Sequence, residues 1–455
     1  MDGALPQHAR GIAAIDRCVG AQCCAPASVR DRTVRAGAEL PNAQTDANPG
    51  EPRPMSQTIK EARPRATEPH LPRASVMRGA GQDAREPPAR AGRGRRFAIN
   101  GKFASQRMTG VQRVGYELAM AFARLFPLGQ RPTLLLPANA QDGVVYAGEH
   151  AASARLDGSL WEQFGLPWAV GERVLLSLCN IGPLFARRQV LMVHDVAVYD
   201  LPGNYSWKYR LWYRFAYAIL KRTARHIVTV SEFSKHRIMA RLDLPASRIS
   251  VVHNGVDHFD RIVPDNAVLS RLNLQPDNYV LIVGSLSVGK NLARVLAAVA
   301  QLEGGHDWQF VVVGGFDLRV FNAREKAQAV VSNDVVMAGF VSDGELKALY
   351  EQAGCFLFPS LYEGFGLPPL EAMSCGCPVI ASREAALPEV CGNAALYCDA
   401  RSVEDIAAKV VQMMTDPELR ESLSVLGRAR AGDFRWDAAA CRLLDIVERE
   451  VPAGR

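Results

Sequence analysis

From Phe97 onward the chain alternates short, almost wholly apolar runs with longer segments of helical periodicity, and it does so in two successive series. The first series runs through RFAIN (96–100), TLLLP, RVLLSL, QVLMVHD and HIVTVS, ending at Ser231. The second runs through YVLIVG (279–284), QFVVVGG (309–315), DVVMAGF (334–340), CFLFPS (355–360) and PVIAS (378–382). Strands this apolar are buried on both faces, and only a parallel sheet covered by helices hides both. The spacing therefore predicts βαβ units in an α/β fold, as two doubly wound Rossmann-like domains facing a cleft. The intervening helices carry their own periodicity. Val111, Val114, Leu118, Phe122 and Leu125 share one face of a helix over 111–126. Ser231 stands in capping position for a helix opening at VSEFSKHRI.

The turn residues NGVD, at 254–257, mark the change of series. We place an N-terminal domain at 97–260, a C-terminal domain at 261–432, and a helix within 433–455 that packs back across the boundary through Trp436, Leu443, Leu444 and Val447. Ligands of such sheets bind beyond the carboxyl ends of the strands, so two facing domains make one deep cleft. Residues 1–96 read differently: they lack Phe, Tyr and Trp and hold 11 Pro and 9 Gly. That leaves too little apolar area to offset ordering entropy, which predicts a disordered, basic extension.

The extension carries 16 Lys/Arg against 10 Asp/Glu, and the remaining residues balance at 37 against 37. A balanced core argues against nucleic acid as partner, because phosphate-backbone binding needs a basic face. No stretch approaches the ~20 apolar residues that cross a bilayer, and the N-terminus lacks the apolar run of a secretory signal. The expectation is a cytoplasmic protein. Ten cysteines scattered from Cys18 to Cys441 fit reduced thiols, and the spacing of Cys375 and Cys377 suits packing rather than zinc.

The most specific segment is FPSLYEGFGLPPLEAMSCGCPVIAS, 358–382. A strand ends near Pro359, a glycine-containing loop follows, and a helix begins near Pro368. Glu363 falls in the loop and Glu371 inside the helix, so two carboxylates can face one ligand from different directions. Gly364 and Gly366 let backbone amides come close, and with the helix N-terminus they suit a diphosphate. A carboxylate such as Glu371 can accept two hydroxyl hydrogen bonds from a sugar diol. A plain glycine turn with a capping glutamate fits the spacing equally well.

EGFGLPPLE, with its surroundings, resembles the Glu-x7-Glu motif of family 4 (group 1) retaining glycosyltransferases, in particular bacterial mannosyl- and rhamnosyltransferases of surface polysaccharide and lipopolysaccharide synthesis. TGVQRVGYELA (109–119), VHD (193–195), VSEFSKHRI, VVHNGVD and GSLSVGKNL (284–292) resemble that family's other signatures, in order. The resemblance implies a GT-B fold and transfer from a nucleotide-sugar donor, with GDP-linked mannose as the expectation, without a metal or other cofactor. It implies that Glu363 contacts the donor hexose near the reacting carbon, Glu371 binds the ribose, and Lys290 neutralises the departing diphosphate. Gly366 and Leu367 would offer backbone amides, His194 would bond a sugar hydroxyl, and Gly110 would leave room for the phosphates. Gly364, Phe365 and Ser285 complete the expected donor-binding set. The implied acceptor is a growing, lipid-linked oligosaccharide.

One departure stands out. Gly289 and Ser285 occupy positions where family members often carry an arginine, so one charge-assisted clamp on the diphosphate is missing; Arg113 and Arg294 are candidate substitutes. A non-catalytic nucleotide-sugar sensor is the rival reading that this loss suggests. GSLSVGKN also fits the G-x-x-x-x-G-K of a phosphate loop, but Asn291 stands where Ser or Thr would hold magnesium, which argues against an NTPase. His194 and Asp195 could deprotonate an acceptor, or His194 could simply hydrogen-bond a ligand. The helix over 207–225 mixes aromatic and basic residues; it could seat peripherally on the inner face of the membrane or pack as a core helix with solvated charges.

Overall fold

The computed structural model describes residues 94–140, 146, 148–153, 156–284, 287–302, 304–315 and 334–451. The extension expected to be disordered lies outside the described residues up to 93, as does Ser285. Gly94–Arg96, however, already form an ordered turn with Gly94 buried, and the Arg95 Nε donates to the Gly129 carbonyl at 2.9 Å. The ordered chain therefore includes the last three residues assigned to the extension, because backbone burial rather than aromatic content holds them.

Two all-parallel sheets carry the fold. The first contains β1 (Phe97–Asn100), β2 (Thr133–Leu136), β3 (His150–Ala152), β4 (Val174–Ser177), β5 (Gln189–Met192), β6 (His226–Thr229) and β7 (Ile249–Val251), in the order β3-β2-β1-β4-β5-β6-β7. The second contains β8 (Tyr279–Val283), β9 (Gln309–Val313), β10 (Val335–Gly339), β11 (Cys355–Phe358), β12 (Val379–Ser382) and β13 (Ala395–Cys398), in the order β10-β9-β8-β11-β12-β13. Every apolar run named from sequence lies at one of these strands. β3, β7 and β13, which sequence patterning did not reveal, are each an edge strand of three or four residues. Edge strands need neither length nor two apolar faces, so they leave a weak pattern.

Strand order reverses between β1 and β4 in the first sheet and between β8 and β11 in the second. At such a switch point the loops leaving adjacent strands diverge to opposite faces and open a crevice. The loop after β8 reaches Lys290 and the loop after β11 reaches Glu363; register pairing of Cys355 with Val280 and Phe356 with Leu281 sets these two loops side by side.

Apolar periodicity decides which helix faces turn inward. In the helix Gly110–Arg124, Val114, Leu118 and Phe122 are at most 1% exposed and join the same core as Trp436, Leu443, Leu444 and Val447 of the helix Trp436–Glu450. Arg124 donates to Asp437 at 2.7 Å along the rim of this contact. The chain crossing is tied by main chain as well: the Val256 amide donates to the Phe434 carbonyl at 3.0 Å and the Trp436 amide to Asp257 Oδ1 at 2.8 Å.

Candidate active site

The turn Val288–Lys290 and the loop after β11 are held together by the Leu361 amide, which donates to the Gly289 carbonyl at 2.7 Å. This places the Lys290 ammonium 2.7 Å from Glu363 Oε1 and 4.7 Å from the centre of the Phe358 ring. Both partners are partly accessible, 24% and 14% by side chain. Space beside Lys290, lined by Val283, Gly284, Phe358 and Pro359 among others, amounts to about 10 Å³, roughly one water. A cation and a carboxylate thus sit together at the switch point, with the ion pair holding each charge in place.

Asn291, which follows Lys290, is buried with φ of 61°, and its Nδ2 donates to the carbonyls of Pro359 and Ala400 at 3.0 and 2.6 Å. It is a cornerstone of the turn, and its side chain is committed to main chain, which removes the phosphate-loop reading. Gly289 is buried opposite Leu201. The two arginines considered as substitutes for the missing clamp have partners of their own: Arg113 is paired with Asp343, and Arg294 donates to Asn291 Oδ1 at 2.8 Å.

The loop Ser360–Gly366 is pressed against the first sheet's loops. Two hydroxyls converge on one carbonyl: Ser231 Oγ and Ser234 Oγ donate to the Gly364 oxygen at 2.6 and 3.0 Å, while Ser231 also caps the helix Glu232–Leu242 by accepting from the Ser234 amide. Tyr362 donates to Asp200 at 2.9 Å, and Asp200 is in turn gripped by Arg237 and Arg241. Burial alone would raise the Asp200 carboxyl, yet bonds from Arg237, Arg241 and Tyr362 hold it below the usual carboxylate range. Glu389 closes the same seam by accepting from the Glu232 and Phe233 amides at 2.9 and 3.2 Å.

Glycine is required twice in this loop. A Cβ on Gly364 would lie 2.7 Å from the His194 carbonyl and 3.0 Å from the Asp195 Cβ, and both neighbours are fixed by the fold. Gly366 has φ of 109° and ends the loop as N-cap of the helix Leu367–Ser374. Gly364→Ala is accordingly expected to cost ~1–3 kcal/mol of stability through overpacking and to lower kcat/KM at least about tenfold by lifting Glu363 from its seat. Thermal melting and steady-state rates check both; a variant that melts and turns over like wild type removes the seating argument.

The other expected residues fall into distinct settings. Glu371, one turn into its helix, faces not Lys290 but His258 and Tyr350: His258 Nε2 lies 3.5 Å from Glu371 Oε1. His258 Nδ1 accepts from the Trp436 indole N–H at 3.2 Å, which leaves the proton on Nε2, toward the carboxylate. Burial first, then the Glu371 charge, push the Tyr350 phenol well up, so it remains a donor. The Phe365 ring is buried between His253 and Phe434, at 6.1 and 5.7 Å, so its side chain packs and only its main chain can serve a ligand. Gly110 opens the helix Gly110–Arg124 with nothing within 4 Å of where a Cβ would stand. Leu367 is the first residue of its helix, with its side chain buried.

His194 is 5% exposed, and its Nε2 bonds the Leu178 carbonyl at 2.8 Å. Burial pushes the imidazole down to about 4. The ring is neutral near pH 7 with one nitrogen spent, which favours the hydrogen-bonding alternative over proton transfer. Asp195 stands beside it in the chain, with its Oδ1 accepting from the Ala197 amide at 2.8 Å. Burial, with the nearby Glu363 charge adding to it, raises its carboxyl above the usual range, although a hydrogen bond from the Ala197 amide opposes this. Cys375 and Cys377 are packing thiols; burial pushes Cys375 up to about 12.

Comparison with known proteins places the chain in a family. The family model for "Glycosyltransferase Family 4" matches residues 168–258, and that for "Glycosyl transferases group 1" matches residues 270–430. O-antigen chain mannosyltransferase B of Escherichia coli is 33% identical over 271 residues, 57% of this chain and 70% of its own length. An MMP alpha-(1->4)-mannosyltransferase of Mycolicibacterium hassiacum is 30% identical over 289 residues, 61% of this chain and 68% of its own. Among solved structures, sucrose-phosphate synthase from Thermosynechococcus elongatus superposes with a TM-score of 0.61 at 18% identity, covering 79% of this chain and 99% of that one. The fold is GT-B, two parallel sheets with flanking helices. The chain belongs to the family 4, group 1 glycosyltransferases and is a glycosyltransferase enzyme.

Proposed function

We propose that this enzyme transfers a hexose, mannose from GDP-mannose or a related deoxyhexose, with retention of configuration onto a growing, lipid-linked oligosaccharide. The observation that carries the reading is the Lys290–Glu363 pair at the switch point of the second sheet, beside the Gly366-capped helix. Lys290 would meet the departing diphosphate as the anomeric C–O bond breaks and its electron pair passes to the phosphate oxygen. The acceptor hydroxyl would then attack from the same face, its proton going to the leaving phosphate. Glu363 would orient the hexose, Glu371 the ribose, and the backbone amides of Gly366 and Leu367 the phosphates. Mannose is favoured by the similarity to two mannosyltransferases. No bound metal or other cofactor is invoked in this scheme.

The test is nucleotide release by the full chain from GDP-, UDP-, dTDP- and ADP-linked hexoses, with and without polyprenyl-diphosphate-linked oligosaccharide. NMR of the product then reads the anomeric configuration. Release from GDP-mannose that rises at least tenfold with the lipid-linked acceptor, giving an α-linkage, is expected. A β-linked product overturns retention, a preference for another donor overturns the mannose assignment, and equal use of a small soluble sugar overturns the lipid-linked acceptor.

A further inference from the structure

The helix Trp207–Thr223 settles neither of its two sequence readings alone, because its two sides differ. Inward, Ala216, Tyr217 and Leu220 are buried in a core shared with Ile181 and Leu184. Outward, Trp207, Leu211 and Phe215, four residues apart, form one stripe that is 63%, 61% and 53% exposed. Exposed apolar side chains also stand on elements that share this helix's core or are tied to it. Leu184 packs under this helix, whereas Ala186 packs on the core of Trp161, Leu166 and Val170, so Phe185, 75% exposed, stands between the two. The helical segment on that side adds Phe164 and Trp168, 65% and 88% exposed and again four apart. Gln163 ties it to the Phe185 loop by accepting from the Leu184 amide at 2.9 Å.

Six large apolar side chains on three linked elements exceed the scattered exposure normal for a soluble surface. Charge identifies what covers them. Between Asp200 and Glu232 the chain holds six Lys/Arg and no acidic residue, and exposed Lys208, Arg214 and Arg222 flank the stripe. A second copy of the chain laid face to face would set these cations against one another, whereas a sheet of anionic headgroups would neutralise them. Indole and phenyl rings beside Lys and Arg suit the headgroup boundary of a bilayer. We propose that this face of the first sheet's domain docks on an anionic lipid surface, with Trp168, Phe185, Trp207, Leu211 and Phe215 entering the headgroup layer. The helix bearing the dock packs inward, through Tyr209 and Tyr217, on the core of Val193 and Val196, which flank the His194 and Asp195 backbone that meets Gly364. The dock would hold a lipid-linked acceptor beside Gly364, a placement that rests on the proposed function although lipid binding itself does not.

The test is vesicle flotation of the full chain with phosphatidylglycerol/phosphatidylcholine or phosphatidylcholine alone, comparing wild type with the triple variant Trp207→Ser, Leu211→Ser, Phe215→Ser. The basic first 96 residues are common to both proteins, so the difference isolates the stripe. Wild type should partition at least tenfold more strongly onto the anionic vesicles, less so as salt rises. The variant should lose tenfold or more of that binding while its melting temperature and donor hydrolysis stay at wild-type values. Equal binding to both vesicle types, unchanged binding by the variant, or a wild-type dimer that the variant abolishes each overturns the proposal. Anionic binding by a protein that transfers no sugar would overturn the proposed function and leave the dock standing.

Discussion

Replacing Lys290 by alanine is expected to lower kcat about 10²- to 10³-fold, with the donor KM changing far less. The ammonium lies 2.7 Å from Glu363 and over the Phe358 ring, held by a turn that the Leu361 amide ties to the next loop. Its charge is therefore preorganised and needs no rearrangement when negative charge builds on the leaving diphosphate. Removing it does more than delete an attraction: Glu363 is left uncompensated beside Asp195, facing an anionic ligand. Melting should fall as well, because both side chains are largely buried and removing the ammonium leaves the Glu363 carboxylate uncompensated. Nucleotide release measured across donor concentrations separates kcat from KM. A kcat within threefold of wild type would falsify the leaving-group role. Lys290→Arg should recover part of the rate, because charge returns without the compact geometry.

Glu371→Gln should act on the other parameter, weakening GDP binding about 10- to 100-fold, as expected for losing hydrogen bonds to a charged group worth roughly 1.5–3 kcal/mol. The carboxylate faces His258 Nε2 at 3.5 Å, and His258 is fixed by the Trp436 indole. Trp436→Phe should therefore weaken donor binding in the same direction but by a smaller factor, since it frees the imidazole without removing the ligand group. Calorimetric titration with GDP, with kcat at saturating donor as the second readout, tests both variants. Wild-type affinity in Glu371→Gln, or a loss confined to kcat, would move the ribose site elsewhere.

The pairing of Lys290 with Glu363 was legible as two motifs 73 residues apart, since each lies just after a run of apolar strand residues. Its distance was not legible, because it depends on β8 and β11 being neighbours, and strand order is not written in strand sequence. The seam opposite was less visible still. Ser231 was readable as a helix cap, but its bond to the Gly364 carbonyl joins groups 133 residues apart. Nothing in the pattern of either segment requires that contact. Asp200, Tyr362, Glu389 and His258 each look like ordinary surface polar residues in the chain, and they became site residues only through partners that are distant in sequence.

What the sequence determined by itself was everything carried by local periodicity and local backbone chemistry. That includes both series of doubly buried strands, the amphipathic helix Gly110–Arg124, the Ser231 cap, and a glycine loop running into the helix that bears Glu371. Burial of apolar area acts on each segment separately, so its signature survives in one dimension. Only the tertiary structure decided the edge strands, the neutral His194, the inward Phe365, the His258 support of Glu371 and the exposed apolar stripe with Phe185 and Trp168 on linked elements. Electrostatic and hydrogen-bonding partners interact over a few ångströms of space whatever their separation along the chain, and the fold alone sets those distances.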